Sequence, residues 1–170
     1  MDQQTIILLI AVVALLVSFY SFYLVQDIRK KRIAPTAPPA NADSRTLQLQ
    51  AYERLVLLAE RISLPNLVSR LNQPGLSARD MHLLLLDTIR QEYDYNATQQ
   101  VYVSQEAWGA IKNLKEQNLL IINQVAATLP DHAAGSDLAR RLLEYTMTQR
   151  KGELHAVVLE ALNFEAKKIM

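Results

Sequence analysis

The sequence has no cysteine and only four glycines among its 170 residues. The absence of cysteine excludes a disulfide scaffold, a thiolate metal site, an iron–sulfur cluster and a cysteine nucleophile. The glycines are scattered, so no glycine-rich phosphate-binding loop can form. Neither sign of charge dominates, with 18 Lys and Arg against 17 Asp and Glu. The length allows one modest domain with an appendage.

A charge-free apolar run occupies the N-terminal region from Gln3 to Gln26. Its core, Thr5–Val25, would make a helix about 31 Å long, close to the roughly 30 Å hydrocarbon layer of a bilayer. A cleaved signal peptide is the alternative, but the run is long for a signal core and Asp2 stands where a basic start is expected. The sequence predicts a retained single-pass transmembrane helix.

The residues around this predicted span indicate its orientation. A basic cluster follows the span directly, and clustered basic side chains stay on the cytoplasmic side. Residues 1–4 are therefore expected outside the cytoplasm and residues 26–170 inside. Aromatic rings at the same end favour the lipid interface, and the basic cluster either attracts anionic lipid or only fixes the topology. The predicted membrane-interface residues are Tyr20, Tyr23, Arg29, Lys30, Lys31 and Arg32.

Small side chains form one stripe along the predicted span, at Ala11, Ala14, Ser18 and Ser21. Their spacing of three, four and three residues places them on one face of a helix. Such a stripe lets two transmembrane helices approach closely. The alternative is that this face packs only on lipid.

Residues 26–43 combine the basic cluster with a linker that holds three of the six prolines. Such a composition predicts an extended spacer. Residues 44–170 then contain equal numbers of basic and acidic residues. Nucleic-acid binding needs a basic face that neutralises phosphate, so nucleic acid is not an expected partner.

Apolar periodicity over residues 44–170 predicts an all-α cytoplasmic bundle of four to five helices. The expected core positions of the first helix are Leu47, Ala51, Leu55, Leu58 and Ile62.

Serines that precede apolar runs predict three helix starts, at Ser63, Ser77 and Ser104. The run Leu83–Leu86 is apolar around a helix, which predicts a central buried element. The last helix is expected to run from about Ser136 to near the C-terminus, with a bend at Gly152.

The fourth helix carries a heptad seam from Ala107 to Thr128 with Asn118 inside it. A seam asparagine can fix the register of an oligomer. The alternative is an intramolecular antiparallel helix partner, with Asn118 hydrogen-bonded locally.

The sequence shows no catalytic motif and no metal or cofactor site. The three histidines lack a second ligand at helical spacing. An enzyme would need an unfamiliar site, for example around His82, Asp87 and Glu92. The residue types that dominate protein interfaces are Tyr, Trp and Arg. The candidate partner-binding residues, near the junction of the third and fourth helices, are Arg90, Tyr93, Tyr95, Tyr102 and Trp108. These rings alternatively close the end of the helical core.

Two segments, Gln50–Ser77 and Thr88–Trp108, resemble an uncharacterised family of short membrane-anchored proteins from Bacteroidota. The resemblance is specific over about Leu47–Lys115. It carries no known activity or catalytic residues, and it implies a bacterial cytoplasmic membrane setting. The resulting expectation is a tethered helical adaptor or structural subunit, bound to membrane lipid and to a protein partner or a second copy. The alternative is a membrane-localised enzyme with an unrecognised helical site.

Overall fold

The structure, a computed structural model, describes residues 42–148 and 152–170. Within these ranges, no helix is both long enough and apolar enough to cross a bilayer. The predicted span and most of the linker lie outside the described residues. The same holds for the predicted site residues Ala11, Ala14, Ser18, Ser21, Tyr20, Tyr23, Arg29, Lys30, Lys31 and Arg32.

The described residues form six α-helices and one short 3-10 helix, without a strand, so the all-α prediction is confirmed. The elements are α1 (Ala42–Ile62), α2 (Leu64–Leu71), α3 (Ala78–Tyr95), the 3-10 helix (Ala97–Val101), α4 (Gln105–Ala126), α5 (Gly135–Thr148) and α6 (Gly152–Ile169). The expected four to five helices become six because the predicted last helix is two elements, α5 and α6. The first helix also begins two residues earlier than expected.

The core lies where α1 packs on α6 and where α3 packs on α4 and α5. Each fully buried Leu or Ile contributes about 1.5–3 kcal/mol relative to an exposed one. Fully buried side chains from the five longer helices include Leu55, Leu58, Ile62, Met81, Leu85, Ile89, Ile111, Ile122, Leu138, Leu142 and Leu162.

Two predicted core positions are wrong. Leu47 is 47% exposed, because it lies a full turn before Ala51, where the burial of α1 starts. Leu83 is 56% exposed, whereas Leu85 and Leu86 are buried. The helix α3 therefore buries only the side that faces its neighbours, and it is not surrounded by them.

Serine caps start two of the helices as predicted. The side chains of Ser77 and Ser104 each accept a hydrogen bond from the backbone N–H three residues later, at 3.1 and 3.0 Å. Ser63 occupies the N-cap position of α2 as predicted, but its side chain makes no cap hydrogen bond. Its hydroxyl instead donates at 2.8 Å to the Glu60 carbonyl in the last turn of α1, which also accepts from the Ser63 N–H and from the Asn66 amide. Pro65 in the first turn of α2 has no backbone N–H, so this turn has one donor fewer to satisfy.

A two-bond bridge joins the starts of α3 and α5. The Ala78 N–H donates to the Ala133 carbonyl at 2.9 Å, and the Gly135 N–H donates to the Leu76 carbonyl at 2.8 Å. A Cβ at Gly135 would lie 3.1 Å from that Leu76 oxygen. Glycine thus allows the close approach that holds these two helix ends together.

Asn118 is buried on α4, and its amide donates to the Ile62 carbonyl at 2.8 Å. This carbonyl ends α1 and would otherwise lack a partner. The asparagine in the seam therefore bonds within the chain, as the alternative expected, although its partner lies 56 residues away in the sequence and is not local.

A half-buried polar network ties the C-terminal helix α6 to α1 and to the start of α4. One carboxylate oxygen of Glu165 on α6 accepts from the Tyr52 hydroxyl at 2.6 Å and from the Ser104 hydroxyl at 2.5 Å. The Ser104 N–H donates to the Tyr52 hydroxyl oxygen at 3.2 Å. Burial raises the pKa of Tyr52, and its hydrogen bond to Glu165 raises the pKa further. These bonds join α1, the start of α4 and α6.

Candidate functional site

The five predicted partner-binding residues do not form one surface. Tyr93 and Trp108 are half-buried and stack with their ring centroids 5.0 Å apart at an interplanar angle of 32°. The Lys115 ammonium lies 4.3 Å from the Tyr93 ring centroid. Burial raises the pKa of Tyr93, while the charge of Lys115 opposes that shift. This pair packs against the core between α3 and α4.

Tyr95 and Tyr102 are the exposed aromatic residues of the predicted set, with relative exposures of 73% and 41%. Arg90 is exposed as well. It lies five residues before Tyr95, which places it on a different side of α3.

The two exposed tyrosines lie beside an outward-facing stripe of α1. We call this combined area the α1 surface, which consists of Leu47, Gln50, Arg54, Leu57 and Arg61 together with Tyr95 and Tyr102. The α1 members recur at spacings of three and four, so they share one face of the helix. Leu57 is 61% exposed, more than any other leucine of the described residues.

Two depressions run along the α1 surface. A depression of about 570 Å³ lies between α1 and α3, with Leu57 and Tyr95 in its walls. A second one of about 420 Å³ lies between the start of α1 and the 3-10 helix, with Leu47 and Tyr102 in its walls. Arg54 lines both depressions. The surface therefore offers a mainly apolar depression beside Leu57 and Tyr95 and a more polar one beside Leu47 and Tyr102, with Arg54 at both.

The two arginines of the α1 surface differ in their pairing. Arg61 Nε donates to Glu92 Oε1 at 2.7 Å, and this carboxylate raises the pKa of Arg61 through the hydrogen bond and the Coulomb attraction. Arg54 instead lies with its guanidinium carbon 5.9 Å from the Tyr95 ring centroid. Within the described part of the chain, no carboxylate lies within ion-pair distance of Arg54.

Sequence reasoning missed the α1 members of this surface. Arg54, Leu57 and Arg61 carry a readable signal, because they repeat at helical spacing beside the core positions of α1. A mixed row of Leu, Gln and Arg on a helix is, however, also typical of a solvated face. Only the position of Tyr95 next to Arg54, which the tertiary structure provides, distinguishes a candidate binding surface from a solvated helix face.

The residues considered for an enzyme site are not brought together. His82 Nε2 lies 2.7 Å from Asn123 Oδ1, and the Asp87 carboxylate accepts from the Gln91 amide at 2.6 Å. Glu92 is bonded to α1, as described above. Across residues 42–148 and 152–170, no group of three or more His, Asp or Glu side chains could hold a metal ion.

The comparisons with known proteins identify a family and nothing more specific. No curated protein and no solved structure matches the chain. The model of a family of unknown function, DUF7935, matches residues 2–169. The match extends well beyond the segments that carried the resemblance, and it confirms that the family is an uncharacterised one. The chain belongs to the DUF7935 family of unknown function.

Proposed function

We propose that the protein is a membrane-tethered helical adaptor that binds a protein partner through the α1 surface. The observation that carries this proposal is the exposed cluster of Leu57, Tyr95 and Arg54, in which two largely apolar side chains flank a cation that forms no ion pair with any carboxylate of the described residues. Tyr and Arg are enriched among residues that dominate binding energy at protein interfaces.

The shape of the α1 surface favours a helical partner segment. The α1 residues at spacings of three and four form a straight row, and the two depressions lie along it. An amphipathic helix fits such a row by placing an apolar side chain in the more apolar depression, beside Leu57 and Tyr95, and polar side chains at the other. Arg54 between them favours a carboxylate on that helix. The expected occupant is therefore an amphipathic helix with an acidic residue, carried by another protein.

The tether is supported by the sequence. The charge-free run at Thr5–Val25 has the length and composition of a bilayer span, and the basic residues after it favour a cytoplasmic location of everything that follows. Because α1 begins at Ala42, the α1 surface would start immediately after the linker. At about 3.1 Å per residue, an extended linker over residues 33–41 would span at most about 28 Å, which would keep the start of α1 near the cytoplasmic face of a bacterial inner membrane.

The interface is tested by comparing two leucine variants of similar exposure. Leu57 is 61% exposed in the α1 surface, whereas Leu83 is 56% exposed on α3. We expect Leu57→Glu to abolish the proteins recovered after cross-linking and mild detergent extraction, and Leu83→Glu to leave them unchanged. Arg54→Glu should weaken recovery at least tenfold. Equal recovery with both leucine variants, or recovery only of the chain itself, would refute binding of another protein at this surface.

The tether is tested separately by cysteine labelling. Because the chain has no cysteine, a single cysteine replacing Asp2 or placed at Thr36 reports its own location. A membrane-impermeant maleimide should label position 2 in cells with a permeabilised outer layer, and position 36 only after the inner membrane is opened. Labelling of position 36 in the unopened cells would contradict the proposed topology.

A further inference from the structure

The C-terminal helix α6 turns one face to the core and the opposite face outward. Val158 and Leu162 are buried where α6 packs on α1 and α4. The outward face carries four exposed side chains at spacings of three, four and three residues, so they form one row along the helix. We call this set the α6 row, and it consists of Val157, Glu160, Phe164 and Lys167.

Phe164 is the largest apolar side chain of the α6 row. It is 60% exposed, and Val157, two turns earlier, is 56% exposed. The Lys168 ammonium lies 4.2 Å from the Phe164 ring centroid, so this cation covers one side of the ring. Phenylalanine is enriched at protein interfaces, where aromatic rings pair with one another. The row therefore carries an aromatic anchor that the core of its own chain does not use.

The two charged side chains of the α6 row have opposite signs and flank Phe164. Glu160 and Lys167 are seven residues apart, which separates them by about 10.5 Å along the helix axis. This separation is too long for an ion pair between them. Among the residues that the structure describes, neither side chain forms an ion pair with another group. The row thus presents an anionic and a cationic position on either side of an aromatic ring.

This order of charges is complementary to that of a second copy of the chain in antiparallel orientation. With a two-fold axis between residues 163 and 164, Glu160 of each copy lies level with Lys167 of the other copy. The two Phe164 residues then differ in height by only about 1.5 Å, so their rings can stack. A parallel copy would instead place like charges opposite each other, which disfavours that arrangement.

We propose that the α6 row is a self-association surface, on which a second copy of the chain packs its own α6 in antiparallel orientation. The stacked Phe164 rings form the centre of this contact, and two symmetry-related pairs of Glu160 with Lys167 flank it. No residue of the row belongs to the α1 surface, so the proposal does not rest on partner binding there. A contact of one helix with its copy is at the small end of specific interfaces, so the dimer is expected to be weak.

The strength of the contact is tested by sedimentation equilibrium of the full chain in density-matched detergent, which gives the dissociation constant of the dimer. We expect Phe164→Glu to weaken the dimer at least tenfold. Leu83→Glu, at a position of similar exposure on α3, should leave it unchanged.

Charge reversal tests the identity of the occupant. Glu160→Lys and Lys167→Glu should each weaken the dimer at least fivefold, because each variant replaces two attractive contacts by two repulsive ones. The chain that carries both reversals regains the attractive pairs and should return to within about twofold of the native dissociation constant. Glu53→Lys makes the same change in net charge at an exposed position of α1 and should have no effect.

Disulfide formation tests the antiparallel orientation. The native chain has no cysteine, so Glu160→Cys and Lys167→Cys chains each carry a single thiol. A mixture of the two variants should form disulfide dimers between them. Either variant alone should form few, because equivalent positions lie about 10.5 Å apart along the axis, beyond the reach of a disulfide.

Three outcomes would overturn the proposal. The first is a dissociation constant that Phe164→Glu leaves unchanged. The second is a failure of the double charge reversal to restore the dimer, which would assign the α6 row to a different protein. The third is disulfide formation by either cysteine variant alone at the yield of the mixture, which would exclude the antiparallel arrangement.

Discussion

Removal of the Glu165 carboxylate tests whether the C-terminal helix is held by its polar network. In Glu165→Ala, the hydroxyls of Tyr52 and Ser104 lose their common acceptor at 2.6 and 2.5 Å. A hydrogen bond to a charged group contributes about 1.5–3 kcal/mol, and the half-buried site screens part of this. We expect the free energy of unfolding to fall by about 2–4 kcal/mol, equivalent to a Tm lower by roughly 5–15 °C.

The assay for this prediction is urea unfolding of the full chain in mild detergent, followed by tryptophan fluorescence. Trp108 is the only tryptophan, so its emission reports the helical domain and not the predicted span. Glu165→Gln keeps one acceptor oxygen and should cost about half as much. Glu160→Ala removes an exposed carboxylate from the same helix and should change stability by less than about 0.5 kcal/mol. If Glu165→Ala unfolds at the same urea concentration as Glu160→Ala, the network does not hold α6.

Three further predictions follow from local geometry and use the same assay. Burial raises the pKa of Tyr52 in the folded state. The stability that its hydroxyl contributes should therefore be complete below about pH 10 and should fall as the pH rises through the folded-state pKa. If Tyr52→Phe loses as much stability as the native chain over that pH range, the loss does not come from Tyr52. Asn118→Ala leaves the Ile62 carbonyl without its donor and should cost about 1–3 kcal/mol, whereas an unchanged midpoint would show that this bond contributes nothing. Gly75 has a φ of 87°, so Gly75→Ala should destabilise the fold by about 1 kcal/mol. Gly109 lies inside α4, where a Cβ would meet no atom within 4 Å, so Gly109→Ala should stabilise the fold by about the same amount. Stability changes of the same sign in both variants would refute the backbone argument.

The local start signals of the helices were readable from the sequence. Ser77 and Ser104 cap α3 and α4 because a serine hydroxyl three residues before a free backbone N–H can bond it without help from the rest of the fold. The failure at Ser63 has a different cause. The end of α1 precedes it directly, and its hydroxyl donates to the Glu60 carbonyl in the last turn of that helix.

The sequence predicted correctly which side chains are buried only where a neighbouring helix covers the apolar side of the helix. The apolar run at Leu83–Leu86 suggested a surrounded helix, but the neighbours of α3 leave Leu83 exposed. The number of neighbours is a property of the tertiary arrangement, which a single helix pattern does not contain. Likewise, the sequence predicted one last helix with a bend at Gly152, whereas Gly152 is the first residue of a separate helix, α6, that packs on α1.

Only part of the candidate site could be predicted, because the sequence pattern does not show which helices pack side by side. Tyr95 and Tyr102 were identified from residue type alone, and they are exposed. Tyr93 and Trp108 have the same residue types but fill the edge of the core, since their positions on α3 and α4 face each other. Arg54 comes from a distant part of the sequence and reaches Tyr95 only through packing of α1 beside α3.

Binding of a partner protein at the α1 surface is tested most directly by a photo-crosslinking amino acid placed at position 57 in the full chain inside living cells. We predict a membrane-associated adduct between the chain and a second, different protein, which disappears with Arg54→Glu and does not form when the same amino acid is placed at position 83. An adduct that survives Arg54→Glu, one that contains only two copies of this chain, or equal adducts from both positions would contradict the account.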